Sequence, residues 1–294
     1  MAENETLWLL YNPKSGSNDP GMIDAIERSL ADAGLPVAGR IEFPEQDLPD
    51  RGTLDRNGVT ILAIFAGDGT INSAVKRLDG WTGTVLPLPG GTKNLLVNRL
   101  HGEGDACEIA ARLGRGEGRR VNPGIVESRL GTALAGVVTG PGAAWSDVRE
   151  AMRDHDVAEI VTAAAHAIGE ATAGPRVHCV QPACGSEEGY QAIVLGPGSE
   201  AIEVNGYGAD TVGEYAEQGF AILKREFRSG PHEFLGAHRA VSLRSSDGEP
   251  MGILIDGEPC EDAGALETFE YTCSRVAMLA TVDEVNAVAA GDED

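Results

Sequence analysis

Three glycine-containing turns in the first hundred residues have the composition of a phosphate-binding site. Each follows a short apolar run and precedes a segment with helical spacing, so the order strand, turn, helix occurs three times. Such turns direct backbone N–H groups and a helix N-terminus towards a phosphate. On neighbouring strands, the three turns can line one nucleotide site. The residues that we expect at this site are Asn12, Pro13, Lys14, Ser15, Gly16, Gly67, Asp68, Gly69, Thr70, Gly91, Thr92 and Asn94.

The second turn also supplies a carboxylate, which phosphoryl transfer requires. That reaction needs backbone donors for the phosphates, a magnesium ion held by carboxylates and a base for the attacking hydroxyl. Asp68 can reach magnesium directly or through water. Thr70 can cap the following helix or donate to a phosphate, and the sequence leaves both roles open. Because Asp-Gly and Asn-Pro are also ordinary turn pairs, the nucleotide interpretation depends on all three turns occurring in this order.

The charge balance argues against one class of partner. The 294 residues include 46 acidic and 23 basic side chains, and the formal net charge is −23. Nucleic-acid binding depends largely on Lys and Arg contacts to phosphates, so we expect no nucleic-acid partner. The same balance disfavours a purely electrostatic attachment to anionic lipid.

Apolar patterning and cysteine use predict a cytoplasmic protein. The apolar runs, such as 61–66, are too short to cross a bilayer, so no integral membrane segment is expected. The first residues are acidic, unlike the basic start of a secretory signal. Five scattered cysteines do not form the pattern of a disulfide framework. The sequence is compatible with a homo-oligomer and does not decide the oligomeric state.

Strand and helix patterns alternate through the first part of the chain. Such alternation, with strands buried on both faces, predicts a mostly parallel sheet covered by helices. The predicted strands are 7–11, 37–43, 59–66 and 84–88, and the predicted helices are 20–33, 70–78, 95–100 and 105–113. A glycine- and arginine-rich connector at 114–120 is typical of a domain boundary. We therefore predict a nucleotide-binding α/β domain at 1–119, which the C-terminal tail 277–294 can complete.

Short alternating runs with turn signals follow the connector. They predict a second domain, at 120–276, that is rich in antiparallel strands. The predicted strands are 131–138, 176–180, 190–195, 201–204, 240–243, 252–255 and 269–273. Helices are expected at 147–153 and 158–173. A last strand at 277–282 can return to either domain.

The three turns together resemble the catalytic domain of the diacylglycerol kinase family. The matching positions are Asn12, Pro13 and Gly16, then Gly67, Asp68, Gly69, Thr70 and Asn72, then Pro89, Gly91, Thr92 and Asn94. This family includes bacterial lipid kinases and sphingosine kinases and shares a superfamily with NAD kinase. The resemblance implies a Rossmann-like three-layer N-terminal domain and a C-terminal antiparallel β-sandwich that binds lipid. It also implies Mg²⁺-dependent transfer of the γ-phosphate of ATP to a hydroxyl of a diacylglycerol- or sphingoid-like lipid, reached transiently at the membrane surface.

The resemblance extends to an Asp-Gly-Glu segment at 256–258, where the family has a proton-accepting acid. It implies that Glu258 is the catalytic base and that Asp256 is the second candidate. In sphingosine kinases the aspartate that matches Asp68 takes this role, so the assignment stays open. A duplicate Asp-Gly-Glu at 247–249 is interpreted as a hairpin turn.

The sequence departs from the family pattern at several positions. Ala66 stands where a glycine is usual, and Ser73 and Leu95 stand where an acid is common. The acidic metal loop is not recognisable, and Asp210 and Glu214 are taken as its stand-ins beside Asp68. Fewer carboxylates weaken magnesium binding.

Two alternatives therefore stay open. One is a catalytically degenerate regulatory protein that binds a nucleotide or a lipid. The other, less favoured, is an NAD kinase, because the first and third turns resemble the lipid kinases more closely. Apolar candidates for membrane contact are Trp145, Phe234 and Leu235.

Overall fold

The computed structural model describes residues 5–13, 20–91, 94–140, 175–208 and 233–282. The chain divides into two compact units, the first formed by Met1–Pro123 with Cys273–Asp294 and the second by Gly124–Thr272. The helices expected at 147–153 and 158–173 lie outside the described residues.

A six-stranded sheet forms the centre of the first unit. In spatial order its strands are β2 (Val37–Glu42), β1 (Leu7–Tyr11), β3 (Ile61–Ala66), β4 (Thr84–Pro89), β18 (Ala277–Ala280) and β5 (Arg119–Val121). Neighbours from β2 to β18 are parallel, and β5 is antiparallel to β18. Every residue of β3 is buried, as expected for a central strand covered on both faces.

Short connections between these strands contain the helices of the first unit. Within its described residues they are α1 (Pro20–Asp32), α2 (Arg51–Arg56), α3 (Asp68–Arg77), α4 (Leu95–His101) and α5 (Ala106–Gly114). A capping box starts α5, because the Asp105 side chain accepts from the Glu108 N–H and the Glu108 side chain accepts from the Asp105 N–H. Helix α2 is not among the predicted helices, because it has six residues and buries only Leu54, too little for a helical period.

The segment 114–120, interpreted from the sequence as a connector, is not a connector over its whole length. Its last two residues belong to the edge strand β5. Arg119 and Arg120 pair with β18, and Arg119 donates to the carbonyl of Val282, 163 residues later. Both arginines are exposed, as is common on an edge strand. Local pattern gave no signal here because the partner strand is remote in the sequence.

The second unit contains two six-stranded sheets. One has the order β10 (Ala183–Cys184), β9 (Val177–Gln181), β14 (Ala240–Ser245), β17 (Leu266–Cys273), β6 (Gly124–Ser128) and β7 (Gly131–Ala133). The other has the order β13 (Glu233–His238), β12 (Ile202–Tyr207), β11 (Ala192–Pro197), β8 (Val137–Gly140), β15 (Gly252–Ile255) and β16 (Glu258–Pro259). All pairs of the second of these sheets are antiparallel. Buried side chains of both sheets, such as Phe269 and Ile193, form one hydrophobic core.

The run 131–138, predicted as one strand, is divided between the two sheets. Its first part is β7 and its last part begins β8. Between them the N–H groups of residues 134–136 all donate to the carboxylate of Asp256. A long-range contact therefore interrupts a segment whose local composition favours a continuous strand.

Buried at the end of α4, His101 has an unusual environment. Its side chain is fully buried, with Nδ1 3.1 Å from Oγ1 of Thr281. Burial, with a further contribution from the positive charge of Arg112, lowers the pKa of His101 from 6.5 to about 3. The histidine is therefore neutral in the folded protein at pH 5, whereas in the unfolded chain it is mostly protonated.

We expect His101 to make the first unit less stable as the pH falls. Between pH 6.5 and 3 only the unfolded state binds the extra proton, so the free energy of unfolding declines by about 1.4 kcal/mol per pH unit from this residue. His101→Gln should remove this slope. Urea unfolding followed by tryptophan fluorescence at pH 7, 6 and 5 measures it, with His178→Gln on β9 as the control. Equal pH dependence in wild type and His101→Gln would contradict the prediction.

Candidate functional site

The strands β1, β3 and β4 end level with one another at one edge of the first sheet. Tyr11 lies opposite Phe65, and Ala66 lies opposite Pro89. The backbone N–H of Asn12 donates to the Phe65 carbonyl at 3.3 Å, and that of Gly90 donates to the Ala66 carbonyl at 3.2 Å. The described parts of the three turns therefore lie side by side. Lys14, Ser15, Gly16 and Thr92 are outside the described residues.

The second and third turns touch through their backbones. A Cβ atom on Gly91 would lie 2.6 Å from Cα of Gly67, and one on Gly90 would lie 2.6 Å from the backbone nitrogen of Ala66. Neither contact can be relieved by turning a side chain. Glycine is needed at 90 and 91 because these turns approach more closely than any side chain allows.

Substitution of Gly91 tests this approach. Gly91→Ala should lower the free energy of unfolding of the first unit by about 1–3 kcal/mol, because the turn must move away from Gly67. Gly52→Ala is the matched control, since its new Cβ meets the end of the flexible Arg56 side chain at 3.3 Å. Denaturant titration measures both, and equal stability of the two variants would show that the turns can separate without cost.

Asn94 closes the third turn with its side chain. Its Nδ2 donates to the Gly91 carbonyl and its Oδ1 accepts from the Gly91 N–H, both at 2.9 Å. Its backbone is left-handed, with φ 50°, a conformation that asparagine tolerates better than most residues. Asn94 therefore holds the backbone of Gly91 in place from the start of α4.

Asp68 joins the second turn to the third. It is the first residue of α3, and its two carboxylate oxygens accept the N–H groups of Leu95 and Leu96 at 3.1 and 3.2 Å. A carboxylate at a helix N-terminus is favourable because it faces the positive end of the helix dipole. The expectation that every turn presents a helix N-terminus to a ligand is therefore wrong for α4, whose first two N–H groups are directed at Asp68.

The N-terminus of α3 has a different arrangement. Its N-cap is Gly67, which has no side chain to accept a hydrogen bond. Thr70 is the third residue of this helix, and its N–H donates to the Gly67 carbonyl at 3.1 Å. Of the two roles left open for Thr70, helix capping is therefore excluded. Asn72 is 7% exposed, so its side chain packs within the unit.

In the second unit, Asp256 and Gly257 form the two-residue turn of the hairpin between β15 and β16. Both have positive φ, 51° and 86°, as the favoured hairpin turn requires. Asp256 is 6% exposed, and its carboxylate accepts three backbone N–H bonds. Glu258, the first residue of β16, is exposed. Of the two candidate bases, Glu258 is therefore accessible to solvent and Asp256 is not.

The duplicate segment at 247–249 is a local turn, but the interpretation as a hairpin turn is wrong, because it connects β14 to β15 and these strands belong to different sheets. The Asp247 carboxylate accepts from Oγ of Ser245 and from the N–H of Glu249. These hydrogen bonds, that of Ser245 being the stronger effect, hold the pKa of Asp247 below its usual value.

The metal ligands proposed from the sequence are only partly visible. Asp210 and Glu214 are outside the described residues. Within the described residues, the structure contains no group of three His, Cys, Asp or Glu side chains arranged to hold a metal ion.

Comparison with known proteins identifies the first part of the chain. Residues 6–126 match the diacylglycerol kinase catalytic domain, which confirms the resemblance that the three turns indicate. No curated protein matches the chain significantly. The N-terminal part of the chain is thus similar to the catalytic domain of diacylglycerol kinases, and the match supports a kinase.

Solved structures from Bacillus anthracis str. Sterne have the same mixed α/β fold over nearly the whole chain. One, described as a putative diacylglycerol kinase, is 15% identical with a TM-score of 0.66, covering 95% of this chain and 96% of that one. A diacylglycerol kinase structure from the same organism has the same identity and TM-score and covers 95% and 98%. A third has 13% identity, a TM-score of 0.61 and the same coverage as the second. No helix in the described ranges has the length and apolar character needed to cross a membrane.

Two contacts at these sites were missed by sequence reasoning. One is the Asp68 carboxylate on the start of α4, and the other is the Asp256 carboxylate on residues 134–136. The signal for the first was an Asp two residues after the end of a buried strand, and for the second it was an Asp-Gly pair directly after another buried strand. In both cases the partner lies too far along the chain for a local pattern to show it.

Proposed function

We propose that this protein is an ATP- and Mg²⁺-dependent lipid kinase that phosphorylates a hydroxyl of a diacylglycerol- or sphingoid-like lipid. The observation that carries the proposal is the backbone contact between Gly67 and Gly91 at level strand ends, with Asp68 beside it. The family match over residues 6–126 supports the same reaction class. We further propose to describe the first unit as Rossmann-like and the second as a β-sandwich that binds the lipid, in agreement with their parallel sheet and shared two-sheet core.

The glycine turns are proposed to bind the phosphates of ATP. Gly67 leaves the N-terminus of α3 without a side-chain cap, so its first N–H groups suit an anion. The other proposed contacts are Asn12, Pro13, Lys14, Ser15, Gly16, Gly69, Thr70, Asn72, Thr92 and Asn94. Lys14 would supply the cation that phosphoryl transfer commonly uses.

A magnesium ion suits this site because Asp68 places a negative charge among the proposed phosphate contacts. Without a cation, the carboxylate would repel a polyphosphate. Magnesium is commonly bound by one or two carboxylates together with substrate phosphates, and each Asp68 carboxylate oxygen accepts an N–H bond from α4. Asp68 would hold the ion, with Asp210 and Glu214 as proposed further ligands. When bound, Mg²⁺ neutralises charge on the transferred phosphoryl group.

Glu258 is proposed as the base. Its exposed carboxylate can accept the proton of the lipid hydroxyl as that oxygen attacks the γ-phosphorus. The new bond is between the lipid oxygen and phosphorus, the broken bond is between the γ-phosphorus and the β–γ bridging oxygen, and ADP leaves with the bridging oxygen. The proton remains on Glu258 until solvent removes it.

Exposed apolar side chains are the candidates for the proposed transient contact with a membrane. Phe234, on the edge strand β13, is 60% exposed, whereas Leu235 is 7% exposed and belongs to the core. Leu235 is therefore not a membrane contact, and Trp145 is outside the described residues.

One assay separates the proposal from its alternatives. Purified protein is incubated with γ-labelled ATP in three parallel reactions. These contain diacylglycerol in phosphatidylcholine vesicles, sphingosine or NAD as the acceptor, and each is run with Mg²⁺ and with EDTA. We expect label in a lipid and only with Mg²⁺. Label in NAD would favour an NAD kinase. ATP binding without transfer would favour the regulatory protein, which the engagement of the Asp68 and Asp256 carboxylates by backbone N–H groups also favours.

A further inference from the structure

We infer that Asp256 is a positioning residue that fixes the hairpin turn carrying Glu258, and that it does not itself accept a proton from the substrate. The role given to Glu258 depends on the function proposed above. The anchoring of the turn by Asp256 does not.

Four hydrogen bonds connect the turn to residues 134–136. The Asp256 carboxylate accepts the N–H groups of Leu134, Ala135 and Gly136 at 2.8, 2.8 and 2.9 Å. In return the N–H of Asp256 donates to the Gly136 carbonyl at 2.9 Å. Three successive N–H groups converging on one carboxylate form an anion-binding nest, and here the anion belongs to the chain itself.

These bonds hold a segment that has few other restraints. The strand β16 has only two residues, Glu258 and Pro259, and it lies at the edge of its sheet. Glu258 pairs with Ile255 across the two-residue turn. Since Glu258 is the second residue after Asp256, the nest fixes the turn from which the Glu258 backbone leaves. The direction of the Glu258 side chain therefore depends on Asp256.

The same contacts make Asp256 unsuited to accept a proton. Protonation would remove the negative charge that the three N–H groups stabilise, so all three hydrogen bonds would be weakened. Asp256 is also 6% exposed, so a lipid hydroxyl has little access to it. The Glu258 side chain, in contrast, is exposed, so a lipid hydroxyl can reach its carboxylate.

Asp247 offers an internal comparison. It also precedes a glycine with positive φ, Gly248, but its carboxylate bonds are to residues two positions away. Asp256 instead reaches 120–122 residues along the sequence. The long-range connection distinguishes the second Asp-Gly-Glu segment from the first.

The test compares Asp256→Asn with Glu258→Gln in two assays, and Asp247→Asn is the control. In hydrogen exchange followed by mass spectrometry, Asp256→Asn should speed exchange in peptides that cover 134–136 at least tenfold, because an amide nitrogen cannot accept those N–H bonds. Glu258→Gln and Asp247→Asn should leave that exchange unchanged. Unchanged exchange in Asp256→Asn would overturn the anchoring.

The second assay is the pH profile of lipid phosphorylation. Asp256→Asn should lower kcat by about 10- to 100-fold, with the KM for ATP and the acidic limb of the profile retained, since the proposed base Glu258 is still present. Loss of the acidic limb in Asp256→Asn, with its retention in Glu258→Gln, would make Asp256 the base and overturn the inference. If Asp256→Asn does not fold, Asp256→Glu is compared in both assays by the same criteria. Absence of any lipid phosphorylation by the wild type would contradict the proposed function, and the exchange result would still decide the anchoring.

Discussion

Replacing Glu258 by glutamine is expected to lower kcat for lipid phosphorylation by about 10²- to 10⁴-fold, the usual contribution of a general base. Glutamine has nearly the same shape but cannot take the proton from the attacking hydroxyl. ATP binding should stay within about twofold of wild type, because Glu258 is assigned no phosphate contact. Stability should not change, since the side chain is exposed. Initial rates with labelled ATP and equilibrium binding of ATP measure both quantities.

Glu249→Gln is the matched control for this experiment. Glu249 occupies the same place in the duplicate Asp-Gly-Glu segment, is also exposed, and is assigned no function. It should leave kcat unchanged. Full activity of Glu258→Gln would remove Glu258 from the mechanism, and an equal loss in both variants would indicate a general effect of charge.

Replacing Asp68 by asparagine should lower activity by more than about 100-fold and also weaken the first unit. The loss of the carboxylate removes the proposed hold on Mg²⁺, whose charge stabilisation contributes several kcal/mol. In addition, the Asn amide nitrogen cannot accept one of the two N–H groups at the start of α4, which costs about 1–3 kcal/mol when the donor stays buried. Kinetics over a range of Mg²⁺ concentrations and denaturant titration measure the two effects separately.

Asp105→Asn makes the same chemical change at another helix N-terminus of the first unit. Asparagine caps helices about as well as aspartate, so this variant should keep both its activity and its stability. If Asp68→Asn were fully folded at the assay temperature and fully active, the assigned role of Asp68 would be wrong. If raising Mg²⁺ restored none of the lost activity while stability fell, Asp68 would be structural alone.

The contacts of Asp68 change the meaning of Leu95. In the sequence, Leu95 stands where an acid is common in lipid kinases, and the change indicates a lost carboxylate. In the structure Leu95 contributes its backbone N–H to Asp68, and any residue except proline has that donor. The substitution therefore leaves the connection between the second and third turns intact, and its effect is confined to the side chain.

Net charge makes the proposed cation more important. With a formal net charge of −23, the protein as a whole repels a polyphosphate at long range. Salt screens that repulsion beyond about 8–10 Å at physiological ionic strength. Within that distance, the backbone N–H groups of the turns and a metal ion must attract the polyphosphate strongly enough to overcome the remaining repulsion.

Local sequence patterns specify the strands and helices around the turns. Continuous apolar runs such as Ile61–Ala66 predict strands buried on both faces, and each is followed by a glycine turn and a helical period. Those signals are local, because side-chain periodicity and glycine conformation act over only a few residues. They were sufficient to predict β3, α3 and the diacylglycerol kinase resemblance.

The groups that the carboxylates of Asp68 and Asp256 contact are known only from the folded chain. Asp68 reaches 27–28 residues ahead to the start of α4, and Asp256 reaches back 120–122 residues to 134–136. The same is true of β5, which becomes a strand because β18 lies beside it. A backbone N–H has no residue-specific signature in the sequence, so its partner is known only when folding brings the two segments together.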